Sequence, residues 1–117
     1  MTGQEIPPWL REQLARFEQL QQSLQAILVQ KQQVELEAAE VEKALEELKK
    51  ADQAEPVYKS AGSVLIRVKR DDLLKELEEK KELANTRLLV LSKQESRLRE
   101  NIKELQIKID EAVRGKG

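Results

Sequence analysis

Apolar side chains recur along two long stretches of the chain in steps that alternate between three and four residues. This spacing is typical of α-helices that wind around one another, with the apolar positions forming a continuous seam. The pattern predicts one helix over residues 7–50 and a second over residues 71–114. The first seam comprises Leu10, Gln13, Phe17, Leu20, Leu24, Ile27, Lys31, Val34, Ala38, Val41, Leu45 and Leu48. The second comprises Leu74, Leu77, Lys81, Ala84, Leu88, Leu91, Glu95, Leu98, Ile102, Leu105, Ile109 and Ala112.

The segment between the two seams predicts a β-hairpin. Pro56 ends any preceding helix, and the β-branched and aromatic residues after it favour strands. Gly62 supplies the positive φ of a tight turn. With a loop at Ala61-Gly62, Tyr58 lies opposite Leu65, and slips of one or two residues stay open. One face of the ribbon then carries Val57, Val64, Ile66 and Val68, and the other carries Tyr58, Leu65 and Arg67.

Two helices of matched length joined by a short hairpin are expected to fold back on each other. The predicted fold class is therefore mainly α: a long antiparallel two-helix coiled coil in a single domain, 1–117, with the hairpin at 56–70. A lone two-stranded ribbon exposes unpaired edges and an apolar face. We expect the same ribbon of another subunit to cover this face; the alternative is that the hairpin packs on its own helices.

Three charged residues interrupt the seams. Pairing the helix ends next to the hairpin places Lys31 one layer from Glu95, within reach of an ion pair, and Lys81 near Glu78 and Glu82. One interpretation is that the lysine stems cover the seam while their ammonium groups extend into water. The other is register control, because a polar seam residue penalises slipped pairings.

Charges near the hairpin have expected roles of their own. Asp71 or Asp72 is expected to cap the second helix, where a carboxylate also suits the positive helix end. A basic patch lies close by, and it either solubilises the strand end or pairs with acidic residues of a neighbouring subunit. A nucleic-acid-binding surface would be expected to have more basic charge, with aromatic side chains beside it. The patch consists of Lys59, Arg67, Lys69 and Arg70.

Composition narrows the function classes. Charged residues make up 37% of the chain and aromatic residues 3%, which is typical of exposed helices rather than a thick core. A net charge of −1 predicts no bulk attraction to nucleic acid or membranes. Histidine and cysteine are absent and the four glycines lie apart, so we expect no enzyme, cofactor, metal site or phosphate loop. The apolar runs are too short for a membrane span, and the lack of cysteine is compatible with a reducing cytoplasm, which is the localisation we expect.

The ends of the two predicted helices carry apolar residues outside the seam. Such side chains can hold apolar segments of another protein, or they can pack around the end of the bundle. Further apolar residues lie off the seam in mid-helix, so the surplus is not confined to the ends. The off-seam residues at the ends are Ile6, Trp9, Leu14, Ile107 and Val113.

The order of helix, single hairpin and helix, with IPP opening the first helix, resembles the β-type subunits of archaeal prefoldin. The most specific segments are VYKSAGSVLIRV and QLQQSLQAILVQKQQVELEAAEVEKALEEL. The resemblance implies hairpins that assemble into intersubunit β-barrels, in a hexamer of two α-type and four β-type subunits. It also implies that the arm ends hold non-native polypeptides without ATP and deliver them to a group II chaperonin.

Carried onto this chain, the resemblance assigns two groups of residues. Assembly falls on a hairpin set: Val57, Tyr58, Val64, Leu65, Ile66 and Val68. Substrate binding falls on a helix-end set: Ile6, Trp9, Leu10, Leu14, Ile107, Ile109 and Val113. Two other functions stay open, a coiled-coil scaffold or adaptor with a specific folded partner, and a nucleic-acid-associated coiled coil.

Overall fold

A computed structural model describes residues 6–115 and contains four elements. Helix α1 spans Pro8–Lys50, strands β1 and β2 span Val57–Ala61 and Val64–Val68, and helix α2 spans Arg70–Gly115. The strands form a two-stranded antiparallel sheet. The predicted fold class, two long helices with a β-hairpin between them, is confirmed.

The first backbone hydrogen bonds define where the two helices begin. Proline lacks an N–H, so Pro8 fits the first position of α1, and the Pro7 carbonyl accepts the first helical bond from the Arg11 amide at 3.0 Å. Helix α2 begins one residue after β2, and the carbonyl of that residue, Lys69, accepts from the Leu73 amide at 3.0 Å. The prediction that an aspartate caps α2 is therefore wrong. Both aspartates lie inside the first turn, where their charge still suits the positive helix end.

Two compact units make up the structure. The hairpin unit is Gln32–Leu89, and the terminal unit comprises, among the described residues, 6–31 and 90–115. In the hairpin unit, Lys81 reaches Glu42 and Arg87 reaches Glu37. Since the partners advance in opposite directions along the two helices, the helices run antiparallel there.

The seam is the core of each unit. Every predicted seam residue is buried or half-buried, so this prediction is confirmed. Val34, at 1% exposure, is the most deeply buried large side chain of the hairpin unit. The other buried residues of that unit are Leu45, Leu48 and Ala84, and those of the terminal unit are Leu24, Leu91, Ile102 and Leu105.

The hairpin has a different register from the predicted one. Ala61 pairs with Val64, so the loop is Gly62-Ser63, and Tyr58 lies opposite Arg67 instead of Leu65. Gly62 has a φ of 62° at the first central position. A positive φ at this position alone is the pattern of a type II′ turn, whose twist matches that of paired strands. Each residue still lies on its predicted face of the ribbon, because side chains alternate with a period of two and the register is shifted by two residues.

Within residues 6–115, neither helix contains a segment long and apolar enough to cross a membrane.

Candidate interaction surfaces

The hairpin exposes most of its apolar side chains to solvent. Val64, Leu65 and Ile66 are 55%, 72% and 49% exposed, and Tyr58 is also exposed. Burying apolar area is the main favourable term in association, so these side chains form a candidate surface for another subunit.

The two ends of the hairpin differ in burial. Val57 and Val68 form the cross-strand pair next to the helices, and both are half-buried. They share a face with Val64 and Ile66, which lie at the loop end and are exposed. The apolar face is thus partly covered at its base and open toward the loop.

The helix-end set lies in the terminal unit and divides by burial. Leu10 and Ile109 belong to the seam and are half-buried, whereas the other five residues are exposed. Trp9 and Leu14 flank the seam of α1 on its two sides, since successive residues turn by about 100° around a helix. By the same geometry Ile107 lies on the side of α2 away from the seam, so the set surrounds the helix ends and does not form one patch.

Exposed apolar residues also occur far from the helix ends. In the hairpin unit, Leu36, Leu83 and Leu89 are about as exposed as Val113, at 61%, 60% and 59% against 62%. Exposure alone therefore does not distinguish the helix ends as a binding surface. The position of these residues at the ends of both helices is what makes them candidates.

One seam layer of the terminal unit is ionic. The Lys31 ammonium donates to Glu95 Oε1 at 2.8 Å, and the Arg99 guanidinium donates to Glu95 Oε2 at 2.8 Å. The predicted ion pair between the seam residues is thus confirmed, and the lysine does not simply extend into water. The hydrogen bond from Lys31, followed by that from Arg99, holds the pKa of Glu95 below its ordinary value.

The second seam lysine has a partner across the seam. Lys81 lies beside Glu78 and Glu82 as predicted, but its ammonium pairs with Glu42 on α1, at 3.0 Å from a carboxylate oxygen. A seam residue projects toward the facing helix, which brings this partner within reach.

Acid should weaken the terminal unit through Glu95. A carboxylate whose pKa is lowered by folding adds stability above the unfolded pKa, about 4.3 for glutamate, and loses it as the pH falls through the folded value. We therefore expect the unfolding temperature of Glu95→Gln to lie below that of the unaltered chain at pH 7 and to approach it as the pH falls below about 4.3. Calorimetry from pH 7 to pH 3 measures this. A constant gap would contradict the assignment to Glu95 ionisation.

The basic patch near the hairpin is partly engaged inside the chain. The Lys59 ammonium donates to Glu76 Oε1 at 2.6 Å, and this bond is the main cause of a lowered pKa of Glu76. The Arg70 guanidinium donates to the Ala51 carbonyl at 3.2 Å, just beyond the end of α1. Sequence reasoning placed both cations at the surface but did not find these partners, which lie 17 and 19 residues away.

The arrangement provides surfaces for binding. Among the residues that the structure describes, no cluster of acidic side chains has the grouping needed to hold a metal ion. What the hairpin and the helix ends offer instead are exposed apolar side chains on a scaffold of long helices. The helices and the strands together place the protein in the class of coiled coils with a β-hairpin between two long helices.

Comparison with known proteins identifies the family: residues 11–116 match the prefoldin subunit family, and the chain belongs to it. It is 46% identical over 105 residues to a protein named prefoldin subunit beta of Archaeoglobus fulgidus, covering 90% of each chain. A prefoldin subunit beta of Thermococcus onnurineus is 41% identical, over 95% of this chain and 96% of the other.

A solved structure supports the same assignment. The crystal structure of the prefoldin beta subunit from Thermococcus strain KS-1 has a TM-score of 0.86 and 40% identity, over 95% of this chain and 97% of the other. The resemblance to β-type prefoldin predicted from the sequence is therefore confirmed. Prefoldin subunits are chaperone components, not enzymes.

Proposed function

We propose that this chain is a subunit of an ATP-independent chaperone that holds non-native polypeptides and delivers them to a group II chaperonin in the cytoplasm. The exposure of apolar side chains at the helix ends, in a family of chaperone components, carries the proposal. An unfolded polypeptide offers the apolar segments that such side chains can cover. The proposed contact residues are Ile6, Trp9, Leu10, Leu14, Ile107, Ile109 and Val113.

Assembly is proposed to depend on the hairpin. Its exposed residues would pair with hairpins of other subunits in a β-barrel, in a hexamer of two α-type and four β-type subunits. The support is physical: a two-stranded ribbon is marginal alone, and this one exposes Leu65 and Ile66 together with unpaired strand edges. The proposed assembly residues are Val57, Tyr58, Val64, Leu65, Ile66 and Val68.

Holding by such an assembly relies on several weak contacts. Each pair of helix ends exposes few apolar side chains, so one pair alone binds weakly. Several pairs that grip one unfolded chain raise the effective concentration of the remaining contacts, which increases avidity without any new contact. Release then requires only a competing receptor or collapse of the held polypeptide.

Light scattering tests the proposal. A chemically denatured protein is diluted, without ATP, into buffer that contains the assembly copurifying with this chain. We expect aggregation of at least two unrelated proteins to be suppressed in proportion to the amount of assembly, while an equal mass of serum albumin has little effect. An intact assembly that suppresses neither would overturn the holding function and favour a scaffold with a specific folded partner.

A further inference from the structure

The contact between Lys59 and Glu76 joins the hairpin to α2. Lys59 lies in β1 and Glu76 in the second turn of α2, about 9 Å along the helix from its first residue at 1.5 Å per residue. Their charged atoms are 2.6 Å apart. Among residues 6–115, no other hydrogen bond or ion pair between side chains joins a strand to a helix.

Two connections join the hairpin to the helices. A single residue, Lys69, connects β2 to α2, and residues 51–56 connect α1 to β1. The longer connection is organised around Asp52, whose side chain accepts from the Ala54 amide at 3.2 Å and whose carbonyl accepts from the Glu55 amide at 3.0 Å. These bonds shape the turn itself but do not reach the strands.

Lys59 lies on the apolar face of the hairpin that is proposed to contact another subunit. It lies directly opposite Ile66, on the face that carries the exposed Val64. A free ammonium there would have to lose its water when another subunit covered this face, at a large cost for an unpaired charge. Bonding to Glu76 draws the ammonium toward α2 and supplies the opposite charge.

We propose that the Lys59–Glu76 pair is the positioning contact that fixes the hairpin on α2 and keeps its apolar face competent for assembly. The inference rests on the proposed role of the hairpin in assembly. In this role Lys59 and Glu76 do not contact another subunit. They act on assembly indirectly, by holding the hairpin in place. Loss of the pair lets the hairpin change its direction and leaves the Lys59 charge without compensation, while the seam and both helices remain.

Orientation is tested directly by distance measurement. The chain has no cysteine, so Ser63→Cys in the loop and Glu79→Cys on α2 provide unique sites for two spin labels. Trace amounts of doubly labelled chain in unlabelled assembly give intrachain distances by electron paramagnetic resonance. We expect Glu76→Gln to broaden this distance distribution and the double variant Lys59→Glu with Glu76→Lys to narrow it again. An unchanged distribution in Glu76→Gln would overturn the proposal.

Assembly is measured in parallel by analytical ultracentrifugation. We expect Glu76→Gln to raise the concentration of half-assembly about fivefold, the scale of a partly exposed charged contact, with helicity unchanged. The charge-reversed double variant should recover most of this loss. Glu37→Gln is the matched control, since it removes an exposed ion pair with Arg87 that does not involve the hairpin, and it should assemble normally.

The two readouts separate this inference from the proposed function. If the distances broaden but assembly is unaffected, the pair orients the hairpin without governing assembly, and the proposal is overturned. If Ile66→Asp also assembles normally, hairpin-mediated assembly itself fails. If Ile66→Asp prevents assembly while Glu76→Gln behaves like Glu37→Gln, only the role of the ion pair is refuted.

Discussion

Replacing Ile66 by aspartate is expected to leave a helical chain that no longer assembles. Ile66 is half exposed on the apolar face of the hairpin and contributes nothing to the seam of either helix. Covering this face by another subunit would bury a carboxylate whose cross-strand neighbour, Lys59, already bonds to Glu76, which costs about 3 kcal/mol or more and weakens association by more than about 100-fold. Sedimentation measures the loss of assembly, and circular dichroism measures the retained helix content.

The control for this variant is Leu36→Asp. Leu36 is as apolar as Ile66, is 61% exposed and lies on α1 of the same unit, away from the hairpin. We expect it to assemble normally, so that the effect of Ile66→Asp reports its position and not the added charge. Intact assembly of Ile66→Asp would refute the hairpin as the subunit interface. Equal loss in both variants would indicate a general effect of charge on solubility or folding.

The heptad pattern predicted the helices because one physical constraint governs them. Two helices can bury an apolar stripe against each other only if it recurs about every 3.5 residues, and such a stripe is visible in sequence. Polar residues at seam positions are also partly covered, since Gln13 and Lys31 are half-buried. Leu36 and Leu89, which break the pattern, are exposed.

The hairpin register was less predictable because its turn permits neighbouring solutions. A glycine with positive φ fits a two-residue loop in either the first or the second central position. The sequence offers Gly62 next to both Ala61 and Ser63, and the structure uses Gly62-Ser63. Since the two registers differ by two residues and keep the same faces, hydrophobic patterning does not discriminate between them.

Partners of the charged residues were the least predictable feature. Pairing of Lys81 with Glu42, and of Lys59 with Glu76, depends on how side chains from separate elements meet. A sequence supplies many glutamates within reach of each lysine, and exposed pairs differ little in energy. Lys31 and Glu95 are the exception, because both belong to the seam and its register places them one layer apart.

The candidate binding surface could be predicted only in part for a similar reason. The helix-end residues were found because they lie outside the seam, and most of them are exposed. The same criterion also selects Leu83 and Leu89 in mid-helix, which are at least as exposed as Trp9. Folding leaves both groups in water, so a difference between them would arise in binding and not in folding.

The double variant Trp9→Glu with Ile107→Glu is expected to weaken holding more than about tenfold while assembly stays intact. Both side chains are exposed, at 44% and 49%, and neither belongs to the seam. Glutamate forms helices well, and at the second residue of α1 its charge also suits the positive helix end. Every copy of this chain in an assembly carries the change, so all of its helix ends are weakened at once. The multivalent gain in affinity, which can reach about 10²- to 10⁴-fold, is then reduced as well.

Its matched control is Leu36→Glu with Leu89→Glu, which adds the same charge to equally apolar, exposed positions of the hairpin unit. Light scattering of a denatured protein measures how much assembly gives half-suppression of aggregation. We expect this amount to rise more than about tenfold for the helix-end variant, a small part of the multivalent gain, and less than about twofold for the control. The reverse result would move the holding surface to mid-helix. Unchanged holding in both would exclude either set as the main contact, because a carboxylate in an apolar contact cannot be buried without a large loss of affinity.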